Sequence, residues 1–277
     1  MIEFVNKEFK GAQGRGTLLD ARISSSDKAV IVFAHGYKGY KDWGCWRLME
    51  EKFVQNGFGF VKFNFSHNGG TVTNPIDFDD LEAFGKNTYS FELEDLSIVT
   101  DEVARLIQQE MKLDLPIFLI GHSRGGGVCT IYANEDDRIK KMISLAGISD
   151  IGSRFPIGDE LVDWKREGVR YILNGRTKQE MPHFISFYED FVRNAKRLNI
   201  EKAAQNLTIP FLQIHGDMDL AVSISEGQNM AKWTNTRLAI VKGAGHTFGA
   251  SHPWESNDLP PDFEDAIGRM IDFFADQ

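Results

Sequence analysis

The chain has 277 residues, 42% hydrophobic and 26% charged, enough for one enzyme-sized soluble core and unlike a disordered tail or a collagen-like fibre. Asp and Glu (40) outnumber Lys and Arg (31), and the formal charge of -9 disfavours a nucleic-acid partner, whose phosphates select for cations. Cys45 and Cys129 are too few for a disulfide framework, residues 1–7 lack a basic-then-apolar leader, and no apolar run approaches the roughly 18 to 20 residues that span a bilayer, so the sequence reads as cytoplasmic with no membrane partner.

In chain order, short apolar runs bounded by turn residues recur at 29–34, 59–65, 116–120, 142–146, 210–214 and 237–241. Each predicts a strand buried on both faces, as parallel sheets require. Between them, segment 91–109 puts Leu96, Val99, Val103 and Leu106 at three- and four-residue intervals, with Ser90 as N-cap and Glu92, Glu94 and Asp95 near the positive end of the dipole. That spacing predicts an amphipathic helix covering the sheet. Near the C-terminus Phe263, Ile267, Met270, Ile271 and Phe274 follow Pro260-Pro261, with Asp262 available as a cap, and predict the last helix. Alternating strand and helix imply an α/β fold with right-handed crossovers.

The alternation breaks between 151 and 205. Segment 168–173 followed by Asn174-Gly175 predicts a hairpin closed by a two-residue type I′ turn, and Phe184, Phe187, Tyr188 and Phe191 then recur at roughly helical spacing. The reading is a core of residues 1–150 and 206–277 with a small inserted lid, a hairpin plus helices, at 151–205. Trp164 and Tyr171 are its candidate substrate-binding aromatics, and they favour aromatic or bulky apolar groups.

Directly after the run 116–120 comes Gly121-His122-Ser123-Arg124-Gly125, a Gly-x-Ser-x-Gly turn whose glycines permit the tight bend that exposes Ser123. A serine hydroxyl is a weak nucleophile and needs a histidine base oriented by an acid. Asp219 follows the run 210–214 within His215-Gly216-Asp217-Met218-Asp219, and His246 follows 237–241 within Gly243-Ala244-Gly245-His246, so both sit past strand ends in the order serine, acid, histidine. Asp217 is the rival acid and His252 the rival base. His35 and His215 brace loops, His122 neighbours the nucleophile, and His67 and His183 fall in loops or the lid. After 29–34, His35-Gly36-Tyr37-Lys38-Gly39 offers the backbone N–H of Tyr37, which with that of Arg124 would hold an oxyanion. This chemistry calls for no metal and no cofactor.

These four motifs, in this order, resemble the serine α/β-hydrolase superfamily from about residue 28 to the C-terminus, most of the lid excepted. Within it the chain is similar to the dienelactone-hydrolase-like and prolyl-oligopeptidase-like group that includes bacterial cinnamoyl and feruloyl esterases. The resemblance implies an α/β-hydrolase fold, a mostly parallel central sheet flanked by helices, with a compact lid after the sixth strand. It also implies a serine carboxylic ester hydrolase acting on a small-molecule ester. Dienelactone hydrolases proper use cysteine where this chain has Ser123, so their substrate is not carried over. Two other readings stay open: a peptidase or amide hydrolase, favoured if Asp159, Glu160 or Asp163 captures a substrate amine, and a catalytically silent interaction protein.

Overall fold

A computed structural model describes residues 1–276. The chain begins with two strands that the apolar runs do not announce, β1 (Ile2–Lys10) and β2 (Gly16–Ile23), paired antiparallel. The six expected strands all form: β3 (Val30–Ala34), β4 (Gly59–Phe63), β5 (Ile117–His122), β6 (Ile139–Leu145) and, after an interruption, two more. Within the interruption β7 (Val169–Leu173) and β8 (Glu180–Phe184) make a separate two-stranded hairpin, and β9 (Phe211–Gly216) and β10 (Leu238–Val241) return to the main sheet. The eight-stranded order is β1-β2-β4-β3-β5-β6-β9-β10, parallel from β4 to β10, with β2 antiparallel to β4.

Nine α-helices are described: α1 (Trp46–Gln55), α2 (Leu81–Lys86), α3 (Tyr89–Arg105), α4 (Arg124–Glu135), α5 (Asp159–Glu167), α6 (Ser186–Arg193), α7 (Ile200–Asn206), α8 (Ile224–Trp233) and α9 (Pro261–Ala275). The two faces of the sheet carry separate apolar cores because strand side chains alternate. Val30, Val32 and Ala34 of β3 pack with Leu96 and Val99 of α3 and Val128 of α4, whereas Ile31 and Phe33 pack with Met49 and Phe53 of α1 and with α9. A helix layer thus covers each face.

Three local expectations need correction. Helix α3 starts two residues earlier than expected: Thr88 is the cap and accepts the Phe91 N–H at 3.1 Å, while Ser90 lies inside the first turn. Asp262 does not cap α9, since Pro260 occupies that position and Pro261 enters the first turn. The β7–β8 loop is not a two-residue turn: Leu173 pairs with Glu180, leaving residues 174–179 between them. Asn174 uses its side chain instead of a left-handed backbone, accepting the Arg176 N–H at 3.0 Å, and Lys178 takes the positive φ of 61°.

Segment 151–205 lies between β6 and β9, and its last helix, α7, buries Ile200, Ala203 and Ala204 against the core that includes α4. Cys45 and Cys129 are free and buried, and burial raises both thiols, Cys45 to about 12. Among the described residues no helix is long and apolar enough to cross a membrane, and no three His, Cys, Asp or Glu side chains are grouped to hold a metal ion.

Candidate active site

Four loops leave the carboxyl ends of β3, β5, β9 and β10, and they meet at one point. Ser123 occupies the turn from β5 into α4 with φ 57° and ψ -119°. The backbone doubles back so tightly there that a Cβ on Gly121 would lie 2.3 Å from the Gly125 carbonyl oxygen, and one on Gly125 would lie 2.4 Å from that of Ala34. Only glycine fits at either position.

Ser123 Oγ donates to His246 Nε2 at 2.9 Å, and His246 Nδ1 donates to Asp219 Oδ2 at 2.8 Å. The other carboxylate oxygen accepts the N–H groups of Ala221 at 2.8 Å and Val222 at 2.9 Å. Burial pushes the Asp219 carboxyl up, but hydrogen bonds from His215, His246 and the Val222 N–H outweigh it and hold the group far below the usual carboxylate range. The acid is therefore ionised, and its charge fixes the imidazole tautomer that leaves Nε2 free to accept from serine. His122 packs beside His246 and donates from Nε2 to the His246 carbonyl at 3.0 Å.

The rivals are engaged elsewhere. Asp217 accepts the Gly243 N–H at 2.6 Å and braces the histidine loop from outside. His252 accepts the Gly44 N–H on Nδ1 at 3.0 Å and stacks on Trp43. His35 is buried between Gly36 and Phe65, which fits a loop brace. Among the described residues no protein group accepts the backbone N–H of Tyr37 or of Arg124, the two expected oxyanion donors.

Ser123 and His246 open into a cavity of about 350 Å³ whose apolar walls include Tyr37, Tyr89, Phe155, Trp164 and Phe187. Trp164 is 3% exposed, and its Nε1 donates to the His183 carbonyl at 2.8 Å, which ties α5 to β8. Tyr171 does not line this cavity. It is 59% exposed, because alternation along β7 turns Arg170 and Ile172 to the cavity and Tyr171 away from it. The sequence reading also passed over His183, which lines the cavity and shares a 2.7 Å hydrogen bond with Tyr37 Oη. No motif marks His183 or Arg170, but given β7 the same alternation would have pointed to Arg170. A second hollow of about 250 Å³ lies on the other side of Ser123, walled by Lys38, Trp43, Asn174 and Arg176. Asp159, Glu160 and Asp163 line neither space.

A family model described as alpha/beta hydrolase fold matches residues 29–165. Solved structures share the fold over nearly the whole chain. Est1E from Butyrivibrio proteoclasticus with ferulic acid bound is 19% identical, with a TM-score of 0.70 and 100% of each chain covered. A monoacylglycerol lipase from Paleococcus ferrophilus is 15% identical, with a TM-score of 0.65 over 93% of this chain and 99% of that one. A dienelactone hydrolase from Anabaena variabilis is 15% identical, with a TM-score of 0.62 over 99% of this chain and 96% of that one. No curated protein matches the chain in sequence.

Proposed function

From the premise that this chain has the α/β-hydrolase fold and resembles its esterases, we propose that it is a serine hydrolase that cleaves carboxylic esters through an acyl-enzyme. The observation that carries the reading is the hydrogen-bonded chain Ser123–His246–Asp219 at a tight turn opening into a largely apolar cavity. Ser123 Oγ attacks the ester carbonyl while His246 takes its proton, and the negative oxygen of the tetrahedral intermediate is held by the N–H groups of Tyr37 and Arg124. His246 then protonates the departing alcohol. Water, deprotonated by His246, attacks the acyl-enzyme, and the acid leaves as Ser123 regains its proton. Asp219 stabilises the imidazolium at each stage.

The larger cavity takes the acyl part and the second hollow the alcohol, with segment 151–205 acting as the lid over both. Aromatic walls favour aromatic or medium-length apolar acyl groups, and Est1E, whose structure holds ferulic acid, is a precedent of the same fold. The absence of a carboxylate from the lining, among the described residues, weighs against capture of a substrate amine and so against a peptidase.

The test is covalent labelling by a fluorophosphonate together with turnover of p-nitrophenyl esters, hydroxycinnamate esters and aminoacyl anilides. Wild type should be labelled at Ser123 and should hydrolyse esters faster than anilides. Ser123→Ala should keep its fold, lose labelling and retain no more than the roughly 10³- to 10⁴-fold acceleration over water that an oxyanion hole and binding supply alone. Activity in Ser123→Ala within tenfold of wild type would remove the assignment.

A further inference from the structure

The charged residues that line the larger cavity are all cationic: Arg124, Arg154 and Arg170, with no Asp or Glu among the described lining residues. Their compensation is uneven. Arg154 is ion-paired with Glu226. Arg124 is ion-paired with Glu92 through a single hydrogen bond at 3.2 Å and otherwise rests on rings, with its guanidinium carbon 4.4 Å from the centre of Tyr37, 5.1 Å from Tyr89 and 5.2 Å from Phe187. Arg170 lies over Trp164 at 5.4 Å and has no acidic partner in ion-pair range among the described residues. Tyr37 and His183 lie near both guanidiniums, and neither carries a negative charge to balance them, since His183 is held neutral by burial and then by Arg124 and Arg170.

A guanidinium whose N–H groups face an apolar acyl chain is left without acceptors, which is destabilising. A purely hydrocarbon acyl group would leave Arg170 in that state. A carboxylate is planar and accepts from the guanidinium fork in two places.

We infer that the acyl group ends in a carboxylate bound by Arg124 and Arg170, so that the substrate is a half-ester of a dicarboxylic acid with an apolar spacer. The inference rests on the serine-esterase reading for its chemistry. Water adds to the acyl carbon through the acyl-enzyme, the alcohol departs with a proton, and the product is the free dicarboxylate.

The test separates recognition from turnover. Ser123→Ala, which cannot form the acyl-enzyme, is titrated calorimetrically with three intact esters of one length: monomethyl suberate, its neutral primary amide, and methyl octanoate. Monomethyl suberate should bind at least about tenfold more tightly than the amide, and the preference should collapse when Arg170→Gln or Arg124→Gln is added. Arg124→Lys, which keeps the charge without the fork, should retain part of it. Arg170 is half-exposed on β7, so Arg170→Gln still decides the matter should the Arg124 variants fail to fold. Equal affinities for the charged and neutral esters overturn the inference whatever the turnover. In wild type, kcat/KM should follow the same order, and a preference for methyl octanoate would also overturn it. Tight, arginine-dependent binding without turnover of any ester and without fluorophosphonate labelling would uphold the carboxylate subsite and remove the esterase reading instead.

Discussion

Asp217 and Asp219 stand two residues apart on one loop, and a sequence alone gives little reason to choose between them. Geometry separates them: Asp219 carries the His246 hydrogen bond and two backbone N–H donors, whereas Asp217 holds only the Gly243 N–H. An amide at 219 could still accept one hydrogen bond but could not stabilise the imidazolium, so Asp219→Asn should lower kcat by about 10³- to 10⁴-fold. Asp217→Asn should stay within about tenfold. Steady-state kinetics on one activated ester checks both, and equal losses would reassign the acid. Ser123, His246 and the acid loop holding Asp217 and Asp219 could be picked out in the sequence because each follows a strand end in a fixed order. His183 could not, because its place in the cavity comes from the pairing of β7 with β8 and from no local pattern.

At the scale of elements, legibility followed burial. Strands β3 and β4 are buried along their whole length, β3 as an unbroken apolar run and β4 as one interrupted only by Lys62, but β1 alternates between half-buried and exposed residues over most of its length and bears a register shift between Phe4 and Lys7. An edge strand of that kind looks polar in sequence. The same period of two decides what the hairpin does for the site. Trp164→Ala should remove a ring that stacks with Phe155 and anchors α5 to the His183 carbonyl, so the cavity wall collapses or opens. Truncation of a buried Trp costs about 3–5 kcal/mol where the site cannot close up. Relative kcat/KM across acetate, butyrate, octanoate and hydroxycinnamate esters should therefore shift in Trp164→Ala and stay unchanged in Tyr171→Ala, whose ring is exposed. A changed ranking in the Tyr171 variant, or none in the Trp164 variant, would contradict this division of β7 and α5.

For the whole molecule, the buried histidines set the acid limit of stability. His35 accepts the Phe65 N–H at 3.2 Å on Nε2, and burial lowers its pKa to about 4; burial also lowers His122 and His183 to about 3, and His67 to about 4. An unfolded histidine takes up a proton near pH 6.5. Between that pH and the folded values, the unfolded chain binds protons that the native state refuses, so stability falls as the pH falls, by up to about 1.4 kcal/mol per pH unit for each group. Asp95 acts in the opposite sense: burial, only partly offset by hydrogen bonds from Ala12 and Ser66, raises it to about 7, and burial raises Glu50 and Glu92 as well. These carboxyls bind protons sooner in the native state and recover part of the loss, leaving a net decline on the order of 2 kcal/mol per pH unit between about pH 6.5 and 4.5. For a chain of this size that corresponds to a fall in Tm of roughly 5 °C per pH unit. Thermal unfolding at pH 7.5, 6.5, 5.5 and 4.5 should show a plateau above pH 6.5 and a steepening fall below it, and a Tm constant down to pH 4.5 would mean that these imidazoles are solvated and not sealed in the core and cavity walls.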